Sequence, residues 1–477
     1  MNTPTARAAP AEAADPRSWK ALGVCLTAGF MTLLDTSIVN VALPSVERSL
    51  HATGADLSWV VSGYALGFGL ALVPGGRLGD LHGRRTMFLT GLTLFTLASA
   101  ACGFAPGAGW LVVCRLLQGV AAGMVSPQVS GLIQQMFQGP LRARAFGMLG
   151  SVVAVSTAAG PLAGGLIIAV AGPEQGWRWV FFVNLPIGIA AIVAGRRLLP
   201  RTVHTTARRP GLDPAGLILL ATGVVAVLLP LLQEQRWTGR GKWLLIGVGV
   251  LLLAAFWRWQ RRQDAHGAAP LVAPQLFAQR SFSLGALLGL IYFSGFTTLF
   301  FVYTLFLQNG HGFSALQAGL AATPVAAGSA VAANVGGRLV VRFGRRLVAW
   351  GLVCVAVGLV GTIVVVQLVP GRSVAWAAAV PLLLAGAGSG LVISPNVTLT
   401  LSKVPVSLGS SASGVLQTGQ RIGSAAGIAA VGAVFFAHVA HHGDWAGAFQ
   451  LGLVTSLALV LLALVVALVD LRGTQPE

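Results

Sequence analysis

Apolar residues arrive along this chain in long unbroken blocks, with neither the alternation of a half-buried strand nor the narrow stripe of a surface helix. A helix that crosses a bilayer needs about 20 consecutive, mostly apolar residues. By that measure the pattern predicts fourteen spans, at 21–43, 57–76, 86–104, 109–136, 146–171, 177–199 and 213–233, then 243–260, 282–307, 315–337, 347–369, 374–400, 412–438 and 449–470. Short separators rich in Gly, Pro and charge divide them. The seventh and eighth are short and flanked by arginine.

Composition points the same way. Hydrophobic residues make up 55% of the 477, charged residues only 9%, and mean hydropathy is +0.79. Soluble domains carry roughly 25% charge, and no segment here is polar enough to form one. The expected fold class is therefore an all-α membrane protein. The net charge of +18 would suggest nucleic acid in a soluble chain. Here the basic residues lie in loops between apolar blocks, so they report topology and no nucleic-acid partner is expected. With the N-terminus inside, the segments on that side hold 23 of the 31 Lys and Arg and the opposite side holds 6. Arg115 and Arg421 remain within spans. The excess on one side predicts that both termini are cytoplasmic.

The first 20 residues are polar and rich in Ala and Pro, without the short apolar core of a signal peptide, so the first block reads as a retained helix. Cys25, Cys102, Cys114 and Cys354 lie within apolar blocks at unpaired spacings and suggest neither disulfides nor a metal site. Arginine far outnumbers lysine amid abundant Ala and Gly, as in a GC-rich bacterial genome, which places the chain in a bacterial inner membrane.

An internal repeat organises the chain. GGRLGDLHGRR (Gly75 to Arg85) follows the second span and GGRLVVRFGRR (Gly336 to Arg346) the tenth, 261 residues later. Gly119-x-x-x-Gly123 is echoed more weakly by Gly386-x-x-x-Gly390. Six spans with loops fill about 180–200 residues at this density, so the offset leaves room for two extra helices between two six-helix halves. The expected division is a tail over 1–20, a bundle over 21–199, a linker with two spans over 200–280, a second bundle over 281–472 and a tail over 473–477. Parallel repeats with a site between them near the midplane are transporter architecture.

Asp35 is the acid that this reading places at membrane depth, within GFMTLLDTSIVNVALP. An ionisable group in hydrocarbon costs at least ~2.5–3.5 kcal/mol even on lenient scales, so it persists where it faces a cavity or a partner. Counting 1.5 Å per residue, Asp35 and Arg115 lie roughly 12 and 9 Å below the outer surface, close enough to meet. A carboxyl poised between burial and a neighbouring cation can gain and lose a proton; the plain alternative is a permanent structural ion pair. Gly160, Pro161, Gly164 and Gly165 combine a helix breaker with small surfaces for close approach. Gly79 suits a tight turn, Asp80 the positive N-terminal end of a cytoplasm-starting helix, and Arg84 and Arg85 can meet carboxylates or helix-end carbonyls. Arg421 lies near mid-membrane, where it can bind an anion, balance Asp35, or bond to helix carbonyls. His438, His441 and His442 read as a solvated loop rather than a metal site.

LDTSIVNVALP, GRLGDLHGRR, RLLQGVAAG, GPLAGG, WRWVFFVNLPIG and SGVLQTGQRIGSAAG, in that order, resemble motifs of the major facilitator superfamily, and specifically its fourteen-helix drug:proton antiporter branch. The resemblance covers nearly the whole chain. It implies two six-helix bundles plus two inserted helices and proton-coupled export of amphipathic drugs, biocides or antibiotics by alternating access. Asp35 and Arg115 would handle the proton, while Asn40, Gln118, Gly119 and Arg421 are the candidates for the substrate cavity. The Gly160, Pro161, Gly164, Gly165 helix would seal the halves against leak. Gly76, Arg77, Gly79, Asp80, Gly83, Arg84 and Arg85 would latch them on the cytoplasmic side in the outward-facing state. Val340 and Val341 replace Gly79 and Asp80 in the second copy, which is expected to keep only topology and packing. The tenth span carries no acid, which disfavours dicationic substrates, and the two inserted spans are expected to lie peripherally.

The implied partners are a small amphipathic substrate, protons and lipid, with no cofactor, no metal and a monomeric state. An exporter of an endogenous amino acid, siderophore or lipid, or a non-transporting scaffold or receptor, are the competing readings. There is no nucleophile–base constellation, P-loop or metal-ligand spacing, so neither an enzyme nor ATP drive is expected.

Overall fold

The computed structural model describes residues 15–472 apart from 173, 201–212, 234–236, 238–240 and 269. Most of the expected N-terminal tail, the start of the linker and the short C-terminal tail fall outside these residues. Among the described residues, 14 helices are long and apolar enough to cross a membrane. The first half comprises α1 (Pro16–Leu50), α2 (Gly54–His82), α3 (Arg84–Gly103), α4 (Ala108–Met136), α5 (Gly139–Ala171), and a sixth span broken into α6 (Gly176–Phe182) and α7 (Asn184–Leu198). The inserted pair is α8 (Pro214–Leu232) and α9 (Lys242–Ala265), followed by a short α10 (Gln275–Ala278). The second half comprises α11 (Arg280–Leu305), α12 (Ala315–Phe343), α13 (Arg345–Leu368), a span split into α14 (Val374–Ala377) and α15 (Ala379–Thr400), then α16 (Gly409–His442) and α17 (Trp445–Arg472).

Several helices overrun the apolar blocks, α1 by several residues each way, because capping and turn chemistry, not hydropathy, stop them. Asp15 caps α1 through the backbone N–H of Arg17, and Thr53 with Asp56 forms a capping box on α2. The turn into α3 needs φ +96° at Gly83, which its missing Cβ permits. The histidines expected in a loop continue α16 as far as His442, with His438 and His442 stacked at 4.4 Å.

Lipid supplies no hydrophobic drive between helices, so packing depends on small residues that let backbones approach. In the first half, Gly119 and Gly123 of α4 lie so close to α2 that a Cβ would stand 2.2 Å from the Tyr64 carbonyl oxygen and 2.5 Å from that of Phe68. Gly386 and Gly390 of α15 meet Val325 and Ser329 of α12 at 2.0 and 2.4 Å in the same way. Val325 and Ser329 follow Tyr64 and Phe68 by the same 261 residues that separate the sequence repeats. The weak glycine echo is thus a three-dimensional equivalence. Each half also begins and ends on one face: Arg17 donates to the Arg197 carbonyl at 2.9 Å, and Arg280 to that of Val469 at 2.7 Å. This arginine-rich face is called the basic face below.

Two expectations need correction. Asp35 is not the lone buried acid, since Asp470, at the basic-face end of α17, is only 2% exposed. Its carboxylate meets Nε of Arg345 at 2.7 Å. Arg345 is also the first arginine of the second GRR, so that copy keeps more than topology. Its guanidinium donates to Oδ1 of Asn396 at 2.9 Å and to the Ser281 carbonyl at 2.8 Å, tying α13 to α15, α11 and α17. The acid moved from the loop motif to a different helix, which no local pattern could reveal. The inserted α8 is peripheral but not detached: Leu220, Val224 and Leu228 pack with Leu66 and Val73 of α2 and Ala425 of α16, covering the seam between the halves.

Breaking a buried pair by removing one member costs about 3–5 kcal/mol, whereas replacing both with apolar groups is often neutral. Arg345→Ala should therefore destabilise the solubilised protein by that order in chemical unfolding. Arg345→Met combined with Asp470→Leu should recover most of the loss. Equal destabilisation by the single and double variants would show that the pair is not the anchor.

Candidate functional site

Asp35 sits in the middle of α1 and is fully buried. Arg115, on α4, reaches it because the close α2–α4 approach at Gly119 brings the two helices almost into backbone contact. Nη1 of Arg115 donates to Oδ2 of Asp35 at 2.5 Å and to Oε1 of Gln118 at 2.9 Å. Nε of Arg115 donates to the Val60 carbonyl at 3.1 Å. The guanidinium also lies 4.2 Å from the centroid of the Tyr64 ring, a cation–π contact. Tyr64 is held in turn by its hydroxyl, which donates to the Thr32 carbonyl on α1 at 2.9 Å.

The other carboxylate oxygen is occupied as well. Oδ1 of Asp35 accepts from Nε2 of Gln118 at 2.9 Å and from Nδ2 of Asn184 at 3.1 Å. Asn184 further donates to Oγ of Ser99 at 3.0 Å, and Ser99 to the Phe181 carbonyl at 2.9 Å. Asn184 and Ser99 were not singled out from the sequence. The signal was present in FVNLP: Pro186 cannot donate to the preceding turn, the helix breaks at Val183, and Asn184 opens α7 facing Asp35. Ser99, one serine in an apolar span, offered no such cue.

The neighbouring face of α1 is where α5 packs. A Cβ on Gly160 would lie 2.0 Å from Oγ of Ser37, and one on Gly164 3.0 Å from Cγ1 of Ile38. Pro161 and Gly165 face the second half instead: a Cβ on Gly319 would lie 3.0 Å from Cβ of Pro161, and one on Gly165 3.8 Å from Cδ1 of Leu316. The motif thus has two faces, one on the carboxylate-bearing helix and one on α12 of the other half.

The halves are joined at the basic face. Asp80 accepts from the backbone N–H groups of Ser410 and Ser411 at 3.2 and 2.8 Å and from Oγ of Ser411 at 2.7 Å. These are the unsatisfied donors of the first turn of α16, so a carboxylate of the first half caps a helix of the second. Arg84 pairs with Asp80 at 2.9 Å and donates to the carbonyls of Gly131, at 2.8 Å, and Val406. Gly76 lies against Ser410 closely enough that a Cβ would come 2.4 Å from its carbonyl oxygen, and Gly79 likewise abuts Gln128. Arg85 donates to the Arg196 carbonyl within its own half. Arg77 is half-buried beside this contact without bridging it.

Two candidate cavity residues stand apart from the carboxylate. Asn40 is exposed and reaches only the Thr36 carbonyl, at 3.4 Å. Arg421 makes no ion pair with Asp35; its guanidinium lies 4.4 Å from the Phe68 ring centroid.

Two repeated six-span halves meeting along a seam are the architecture of a membrane transporter. The family model described as Major Facilitator Superfamily matches residues 25–428, and the chain belongs to that superfamily. It is 35% identical to the "Probable actinorhodin transporter" of Streptomyces coelicolor over 88% of this chain and 73% of that one. It is 34% identical to the "Puromycin resistance protein pur8" of Streptomyces alboniger over 92% and 88%. The "Tetracenomycin C resistance and export protein" of Streptomyces glaucescens is 32% identical over 90% and 78%. The fold resembles that of the human organic anion transporter MFSD10, with a TM-score of 0.67, 16% identity and coverage of 95% and 100%. The chain is accordingly a multi-pass bacterial cell-membrane transporter of the drug-efflux branch, and not an enzyme.

Asp80→Asn should loosen the joined face, because an amide cannot accept from three donors while balancing Arg84. Spin labels at His82→Cys and Lys403→Cys, both exposed, should report a longer distance population in that variant. Adding Val341→Asp should not restore the short one, since Val341 is 57% exposed and turned away from the seam. An unchanged distance distribution in Asp80→Asn would leave Asp80 without a latching role.

Proposed function

We propose that this transporter exports amphipathic drugs or antibiotics from the cytoplasm in exchange for protons. The observation that carries the reading is the position of Asp35: enclosed by Arg115, Gln118 and Asn184, on the helix that packs directly against the α5 face bearing Gly160 and Gly164. The relatives' names, which speak of resistance and export of antibiotics, support the direction and the substrate class. The excess of arginine on the basic face supports its assignment to the cytoplasm.

In the arrangement described, Asp35 is the acceptor for every surrounding donor and the basic face is closed. A proton arriving at Asp35 removes the charge that holds Nη1 of Arg115. The guanidinium and Gln118 are then held only by a neutral carboxyl, one oxygen of which has become a donor, and α1 is free to shift against α4 and α7. Because α5 touches α1 through Gly160 and Gly164 and α12 through Pro161 and Gly165, that shift is transmitted to the seam between halves. Opening of the basic face breaks the Asp80–α16 contact and admits substrate; loss of the proton to the cytoplasm resets the carboxylate. No cofactor takes part, and the proton gradient supplies the energy. One chain holds all these elements, so a monomer suffices.

Asp35→Asn fixes the site in a neutral, proton-like form. Uphill, pH-gradient-driven transport in proteoliposomes should vanish, while exchange of substrate down its own gradient should survive. Asp35→Glu should keep partial activity with a displaced pH optimum, and Arg115→Ala should fold less well. Undiminished uphill transport by Asp35→Asn, at equal reconstituted amounts, would show that protons are carried elsewhere.

In a pump-deficient bacterium the protein should raise tolerance to at least one lipophilic neutral or monocationic agent. Dissipating the proton gradient should abolish that protection, and depleting ATP with the gradient held should not. Protection that persists after uncoupling sinks the antiporter reading.

A further inference from the structure

Among the described residues, the cations at membrane depth divide into matched and unmatched. Arg115 is neutralised by Asp35, and Arg84 by Asp80 and Arg345 by Asp470 nearer the basic face. Arg421 alone has no carboxylate and no hydrogen bond; its guanidinium faces the Phe68 ring at 4.4 Å from the centroid. A bare guanidinium near mid-membrane costs several kcal/mol unless it meets water or an anion. Among the described residues, none supplies this charge with a counter-ion.

Its position on α16 explains what could supply one. Along the face of α16 turned to the first half, Ser411 bonds to Asp80 and a Cβ on Gly414 would lie 2.4 Å from the Leu72 carbonyl oxygen. One turn further, Oγ of Ser126 on α4 donates to Oε1 of Gln417 at 2.6 Å. These contacts close the seam from the basic face inwards. Arg421, four residues beyond Gln417, is the next side chain on that face, and among the described residues the polar bridging between the halves stops short of it. One turn further, Ala425 continues the contact as an apolar one with Leu66 and Val73 of α2. Arg421 therefore sits half-buried in the seam between the last polar bridge and an apolar contact, with an aromatic ring beside it.

We infer that Arg421 and Phe68 form an anion-selective substrate subsite, so that the preferred cargo is a planar aromatic amphiphile bearing an ionised carboxylate or comparable acidic group. The fork of Arg421 takes the acid through paired N–H donors, and the Phe68 ring offers an apolar face to the adjoining scaffold. Cargo charge then completes the balance that the chain leaves open. Protonation of Asp35 adds a further positive charge to this interior, which such a cargo offsets in part. The inference rests on the export reading for its physiological meaning, but binding at the subsite needs no gradient and can be measured independently of pumping.

The test uses the purified full-length chain and two fluorescent probes, anthracene-9-carboxylate and its neutral methyl ester, titrated at pH 7.5. The wild type should bind the acid about tenfold more tightly than the ester, as expected for charge-assisted hydrogen bonds. Arg421→Gln should abolish that discrimination by weakening acid binding while leaving ester binding unchanged, and Arg421→Lys should retain part of it. Failure of either probe to bind, equal affinity for both, or discrimination that persists in Arg421→Gln would each overturn the inference. Transport of the neutral ester under a pH gradient serves as the second readout. If Arg421→Gln lowers transport of acid and ester equally, Arg421 serves coupling and the subsite is refuted. If the wild type binds the acid selectively but pumps neither probe, the subsite stands and the export reading fails.

Discussion

A carboxylate enclosed in hydrocarbon must be surrounded by donors, and much of the first half is arranged to meet that demand. Asp35 draws Arg115 from α4, Gln118 one turn along the same helix, and Asn184 from the break between α6 and α7. Each of these recruits a further partner: Val60 for Arg115, Ser99 for Asn184, and Tyr64 beneath the guanidinium. A hydrogen-bonded set of this kind is stable as a whole and costly when one member is missing. Such a set is sensitive to a single proton, because protonation turns one acceptor oxygen into a donor and weakens the hold on the charged partner at once. An aliphatic core would have no comparable second arrangement.

The same physics recurs at the basic face with a different outcome. Asp80 spends its charge across the seam on the first turn of α16, where three donors belong to the other half. The equivalent position in the second half is Val341, so that half has no matching reach back. Its arginine, Arg345, turns inward to Asp470 and binds α13 to α17. The repeat therefore preserves backbone packing, visible in the paired glycine contacts of α4 with α2 and α15 with α12, while the charges have diverged. The first half spends its loop acid on a contact between the halves, and the second spends its arginine on a contact within itself.

Spans, repeat and halves were legible in the sequence because bilayer thickness and the cost of unpaired backbone polar groups allow so few alternatives. The meeting of Asp35 and Arg115 was legible for the same reason, since depth follows from counting residues along helices of fixed rise. What escaped was azimuth and discontinuity. Asn184 faces Asp35 because Pro186 interrupts the sixth span, and a pattern of apolar residues reads straight through that interruption. Asp470 was overlooked since it lies at the edge of an apolar block, where hydropathy cannot distinguish a residue facing water from one folded back onto Arg345. Arg421 was seen as mid-membrane, but its lack of a counter-ion among the described residues depends on where their acids fold and emerges only once those are placed.

The inserted helices bear on how such a seam can work. The line between α2 and α16 is held at the basic face by close backbone approach, Gly76 to Ser410 and Gly414 to Leu72. Approaches this tight tolerate little lateral error. On the lipid side of the same line, Leu220, Val224 and Leu228 of α8 rest on residues of both helices, so α8 is a third body spanning the joint. It is tied to α2 by Ser58, which donates to Oε1 of Gln233 at 3.1 Å, and by Ser62, which donates to the Leu232 carbonyl at 3.4 Å, whereas its contact with Ala425 of α16 is aliphatic. The α16 side of the contact therefore carries no directional restraint, while α8 still covers the gap from lipid tails. The directional contacts across the seam, at Asp80 and at Gln417, thus join the halves in this arrangement, and the apolar cover of α8 lies over the same line.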